Sequence, residues 1–94
     1  MRVVWSRRAL QHLAELRRYI ARDDPRAAQR VAVRIVESVD LLAVHPHMGR
    51  AGRVIGTREL VVPDTPYIIP YRVKEGRLEL IAVFHGKQQW PKRL

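Results

Sequence analysis

The final stretch of the chain, His85-Gly86-Lys87-Gln88-Gln89-Trp90-Pro91-Lys92-Arg93-Leu94, gathers an imidazole, two amides, an indole and several cations into one short tail. An imidazole titrates at about pH 6.5, so His85 can give or take a proton under physiological conditions. Trp90 cannot transfer protons, but it can stack on a nucleobase or fill a pocket on a protein. Lys87 adds a mobile positive charge, and Gln88 adds hydrogen-bonding capacity. Upstream, Arg58 and Arg72 present guanidinium groups suited to bidentate contact with phosphate or carboxylate. His45 and His47 form an H-x-H pair that could chelate a metal. No third ligand stands at a recognisable spacing, so the pair is read as a polar cluster at a helix end, and neither metal nor cofactor is expected.

Two strand-like runs must carry these groups, and they flank Glu75-Gly76 in the stretch Tyr67 to Phe84. The two-residue gap predicts a β-hairpin, with Gly76 free to take a positive φ. In that register Lys74 faces Arg77, Val73 faces Leu78, Arg72 faces Glu79 and Tyr71 faces Leu80. Extending it sets Ile69 opposite Ala82 and Tyr67 opposite Phe84. Alternation then assigns Tyr67, Ile69, Tyr71, Val73, Leu78, Leu80, Ala82 and Phe84 to a core face. The other face is charged at the hairpin end and apolar at the far end, where Ile68, Pro70, Ile81 and Val83 form a strip open to a partner. Pro70 has no N–H for the ladder, so a bulge or local break is expected beside it.

The chain before the hairpin supplies an α+β frame. Arg2 to Trp5 reads as a short strand, and Ser6 as the N-cap of a helix over about Arg7 to Arg22, with Leu10, Leu13, Leu16 and Ile20 at helical spacing. Asp23-Asp24-Pro25 ends it and starts a second helix, about Pro25 to Val44, carrying Ala28, Val31, Ala32, Ile35, Val39 and Leu42. The link is too short for anything but an antiparallel helix pair. HPHMGRAGRVIG is a connecting loop, and Thr57 to Val62 is a strand leading into the hairpin. The fold class is therefore a short N-terminal strand, a two-helix hairpin and a three-stranded antiparallel meander, with both helices on one sheet face.

The 94 residues make one domain, 1–94, with one modest core. Lys and Arg outnumber Asp and Glu 18 to 9, and fifteen of those cations are arginine, which points to an anionic partner. The basic residues are spread along the chain and not gathered on one helix face, so a membrane surface is not the expected partner. Cysteine is absent, which excludes disulfides and thiolate metal sites. No signal peptide is visible at MRVVWSRR, and no apolar run approaches the roughly 20 residues needed to cross a bilayer. A cytoplasmic protein is expected.

The element order, the loop HPHMGR, the strand PYIIPYRV and the ending VFHGKQQWP together resemble the RelE/ParE superfamily of bacterial type II toxin–antitoxin toxins. The likeness spans nearly the whole chain. It implies a small basic toxin neutralised by a co-expressed antitoxin, expected here to be acidic and amphipathic and to lie over Ile68, Pro70, Ile81 and Val83. It also implies one of two activities: RelE-like toxins cut mRNA on the ribosome, whereas ParE-like toxins inhibit DNA gyrase without known hydrolysis. Metal-free RNA cleavage would need a base, an acid and cations around the phosphorane, for which Arg58, Arg72, His85 and Lys87 are the candidates. Against it, the tail carries Trp90 where RelE-like toxins commonly have a tyrosine or a further basic cluster. The binding reading is therefore placed first: a gyrase inhibitor contacting its target through Arg58, Arg72, His85, Lys87, Gln88 and Trp90. A ribosome-dependent mRNA endonuclease is the alternative.

Overall fold

The computed structural model describes the whole chain, Met1–Leu94, and its elements run β1 (Arg2–Trp5), α1 (Arg7–Ala21), α2 (Pro25–Val44), β2 (Arg50–Ala51), β3 (Arg58–Val61), β4 (Tyr67–Lys74), β5 (Arg77–Leu80) and β6 (Phe84–His85). Both helices begin at the expected caps. Ser6 Oγ accepts from the Ala9 amide at 2.9 Å and Asp24 Oδ1 from the Ala27 amide at 3.0 Å, so each helix has one first-turn donor satisfied. Pro25 then occupies the first turn of α2, where its missing N–H costs nothing. The helical stripes bury Ala9 and Leu16 from α1, and Ala28, Ile35, Val39 and Leu42 from α2. Leu10, expected in the stripe, is instead left half exposed.

The sheet order is β1-β5-β4-β3-β2, with β6 paired to β4. β3, β4 and β5 form the expected antiparallel meander. β1 adds to its edge in parallel with β5, and β2 and β6 are two-residue strands too short to have a sequence signature. Helix-side side chains of the sheet (Leu60, Val62, Tyr67, Ile69, Tyr71, Leu78, Leu80 and Val83) form one core with Ala9, Leu16, Ile35, Val39 and Leu42. No helix is long and apolar enough to cross a membrane.

The hairpin register holds for four pairs, from Lys74–Arg77 to Tyr71–Leu80. Glu75 and Gly76 have φ of 51° and 73°, the two positive values of a type I′ turn. Beyond Leu80 the expected pairs Ile69–Ala82 and Tyr67–Phe84 do not form. Pro70 can accept but not donate: its carbonyl takes the Ile81 amide at 2.9 Å, and regular pairing stops there. Pairing resumes with Ile68 opposite Phe84 and Tyr67 opposite His85, one residue out of step. A one-residue slip exchanges faces. Val83 therefore enters the helix-side core, while Ala82 and Phe84 leave it and join Ile81 in a second cluster. Ser6 and His12 of the N-terminal segment hold the irregular stretch: Ser6 Oγ donates to the Ile81 carbonyl at 2.9 Å, and His12 Nδ1 accepts from the Val83 amide at 3.1 Å.

The loop after α2 is stapled to β4 by Tyr71. Its hydroxyl donates to the Pro46 carbonyl at 2.8 Å and accepts from the Gly49 amide at 3.0 Å. A Cβ on Gly49 would stand 2.6 Å from the Tyr71 ring, so only glycine permits this approach.

Candidate binding surfaces

On the sheet face away from the helices, the tail folds back over the strands. Trp90 packs on Phe84 with ring centroids 4.7 Å apart, and the Arg53 guanidinium lies 3.5 Å from the centre of the indole. Leu94 closes over the same cluster of Ile81, Ala82 and Phe84. The apolar strip expected to be open is thus occupied by the chain itself. Ile68 and Ile81 are each 9% exposed, Val83 is 5% exposed and faces the helices, and Pro70 is fully buried. Trp90 is accordingly an anchor of the tail on the sheet. Its Nε1 is buried without an acceptor.

Glu59 organises the cations beside the indole. Its side chain is 3% exposed and accepts from Arg50 Nη2 at 3.0 Å, from Arg53 Nε at 3.1 Å and from the Arg53 amide at 2.8 Å. Burial alone would raise the pKa of this carboxyl; the Arg53 amide and the two guanidinium groups outweigh it and hold the group below the ordinary range. Sequence reading missed this role, because Glu59 appeared as one acidic residue of an alternating strand. The available signal was a lone carboxylate between Arg50, Arg53 and Arg58 in the sequence.

Arg58 and Arg72 share a hollow of about 330 Å³ with His47, but both are already engaged. Arg58, a candidate for phosphate or target contact, donates to the carbonyls of Gly49 at 3.0 Å and His47 at 3.3 Å and so clamps the loop. Arg72 forms the expected cross-strand pair with Glu79 at 2.9 Å. Its guanidinium also borders a second hollow, about 420 Å³, lined by Arg7, Arg8 and Leu94 among others. The outer face is therefore apolar beneath the tail and basic above it, with exposed Lys87, Lys92 and Arg93 on the tail itself.

His85 lies elsewhere. Paired with Tyr67, it points to the helix side, at a cleft of about 460 Å³ lined by His12, Glu15, Leu16, Tyr19, Tyr67, Val83, His85 and Gln88. His85 Nδ1 accepts from the Lys87 amide at 3.0 Å, and Gln88 Oε1 accepts from the His85 amide at 2.7 Å. Lys87 and Trp90 border neither this cleft nor the Arg58–Arg72 hollow. The four groups proposed for RNA cleavage do not converge: the two arginines share one hollow, the imidazole lines another and the ammonium is exposed. His12, which sequence reading passed over as one position on a helix, faces His85 across the cleft; only the fold brings residues 12 and 85 together.

With this geometry in view, the comparisons are consistent with one another. Residues 3–90 match the family model for the ParE toxin of the type II toxin–antitoxin system parDE. Y4kP of Sinorhizobium fredii, named as a candidate toxin, is 52% identical over 93 residues, covering 99% of this chain and 96% of its own. Toxin RelE2 of Caulobacter vibrioides is 42% identical over 84 residues, covering 89% and 93%. A solved structure of the chromosomal ParDE toxin–antitoxin system of P. aeruginosa superposes with a TM-score of 0.80 at 27% identity, covering 90% of this chain and 95% of that one. The chain belongs to the ParE toxin family of type II toxin–antitoxin systems, within the RelE/ParE superfamily.

Proposed function

We propose that this toxin arrests growth by binding and inhibiting DNA gyrase and does not cut RNA. The observation that carries the reading is the separation of the cleavage candidates. Hydrolysis requires an imidazole and an ammonium within reach of a phosphate held by the arginines. Here Arg58 and Arg72 sit at one hollow and His85 at another. His85 is also chemically unsuited to act as the base. The lone pair of its Nδ1 is taken by the Lys87 amide, so the neutral ring carries its proton on Nε2 and can donate there but not accept. A basic outer face, with Arg53, Arg72 and the tail cations over a sealed apolar layer, instead favours docking on a large anionic partner.

A toxin of a type II system has an antitoxin partner. The net charge of +9 makes an acidic antitoxin the complementary one. Because Ile81 lies beneath Trp90 and Leu94, an antitoxin reaching it must first lift the tail, whereas Val83 faces the helix-side core. The test is a pair of assays on purified toxin: gyrase supercoiling, and mRNA integrity on translating ribosomes. Loss of supercoiling with intact mRNA is the expected result. Codon-dependent mRNA cutting with unimpaired gyrase would overturn the reading and favour the endonuclease.

A further inference from the structure

The cleft between α1 and the β4–β6 end has an unusual hydrogen-bonding character: three of its six polar side chains, His12, His85 and Gln88, have spent their acceptor atoms within the chain and are left as donors. His12 uses Nδ1 to accept from the Val83 amide, and His85 uses Nδ1 to accept from the Lys87 amide. Each neutral ring therefore carries its proton on Nε2. Burial lowers the His12 pKa, outweighing the nearby Glu15 carboxylate, and so disfavours the charged form of this ring. Gln88 spends its carbonyl oxygen on the His85 amide, which leaves its NH₂. Tyr67 is 8% exposed and stands edge-on to His85, with centroids 5.6 Å apart. Its hydroxyl makes no hydrogen bond within the chain and is not sealed from solvent, so it opens onto the cleft with Tyr19 close by. Glu15 is the sole carboxylate of the lining; it is exposed and bonds none of these groups.

Residues carrying two imidazole N–H groups, a phenol and an amide NH₂ line one opening of about 460 Å³, a set that suits a ligand rich in hydrogen-bond acceptors. No Arg or Lys lines the cleft, so a phosphate dianion would enter without a neutralising charge, whereas a singly charged planar carboxylate matches neutral donors. We propose that this cleft is a carboxylate pocket that receives an Asp or Glu side chain of the antitoxin. This rests on the reading of the protein as a toxin held by an acidic partner, and it adds the place where one of that partner's acids is read.

Tyr67→Phe is the discriminating variant, since it removes only a hydroxyl that has no partner within the chain and should leave the fold intact. Imidazole resonances of His12 and His85 would be followed while wild-type toxin is titrated with N-acetylglutamate N-methylamide, and separately with inorganic phosphate. In parallel, the rate of release from the co-expressed antitoxin would be measured for wild type and variant. The glutamate probe should shift both rings with phosphate far less effective, and Tyr67→Phe should weaken the probe and speed antitoxin release by about tenfold or more. Equal responses to both probes, or an antitoxin release rate that Tyr67→Phe leaves unchanged, would overturn the proposal. The gyrase and mRNA assays are unaffected by either result, so failure of this pocket and failure of the target assignment can be told apart.

Discussion

The two faces of the sheet are sealed in different ways. On the helix side, thirteen buried residues drawn from both helices, three strands and the segments next to them form one continuous core. On the outer side, Ile81, Ala82 and Phe84 are covered by Trp90 and Leu94, with the His12 ring beside Phe84 and Arg53 lying on the far side of the indole. The first layer is built from regular elements that bury side chains along their whole length. The second is a ten-residue irregular tail resting on three side chains that face outward because of the slip at Pro70. Removing the first should unfold the protein, whereas removing the second should open one face and leave the rest standing. That contrast matters for function, because the candidate target surface lies on the face with the thin cover.

The largest effect should come from the helix-side core. Ile69 is fully buried at the centre of β4, and Ile69→Ala would remove its packing and leave a cavity, costing about 2–5 kcal/mol. Denaturant unfolding should register the loss as a lower midpoint at an unchanged slope. A cost below about 1 kcal/mol would mean that this layer is no more tightly built than the tail.

Next comes Glu59, which ties the outer face to the loop cations. Glu59→Gln keeps the shape but removes the charge shared by Arg50 and Arg53, and should cost about 1.5–3 kcal/mol. The same contact sets a pH dependence. The folded-state pKa of Glu59 is depressed, so its contribution is fully present above the ordinary carboxylate pKa of 4.5 and is lost as pH falls below it through the folded value. Wild-type stability measured downward from pH 6 should therefore fall more steeply than that of Glu59→Gln. Parallel curves would show that the carboxylate is not what holds Arg53 over the indole.

Much of this architecture was legible in the sequence, for reasons that are local. Ser6, Asp24 and Pro25 announce helix starts through groups that bond their own first turns. Glu75-Gly76 sets the hairpin, and alternation from Tyr71 to Lys74 follows from it. Legibility ended at Pro70. Its missing N–H signalled a break, but the direction of the slip depends on what waits on either side: Ser6 and His12 bonding the freed segment, and Trp90 ready to cover Phe84. Those partners are more than fifty residues away or reached by a tail with no periodicity. The same non-locality hid His12 from His85, and it put Ile81 of the expected open strip beneath the tail and Val83 on the helix side.

The smallest effect in stability is also the most informative about the two faces. Trp90→Ala deletes the main apolar cover of Phe84 and the ring under Arg53. Trp90 is only partly buried and its Nε1 has no acceptor, so its removal frees that orphaned donor and partly offsets the lost packing. A global cost of about 1–2 kcal/mol is expected, smaller than for a fully buried aromatic. Local opening should change more. Hydrogen exchange of the Gly86 and Gln88 amides, which bond to Pro66 and His85 in the tail's first turn, should accelerate strongly, while β4–β5 ladder amides slow to exchange in the wild type should shift only by the global cost. If the ladder and the tail lose protection together, the outer layer is part of the one cooperative core, and lifting the tail to admit a partner would require unfolding the toxin. If only the tail responds, its cover is a separable unit, and a partner can exchange its own apolar residues for Trp90 without disturbing the sheet beneath.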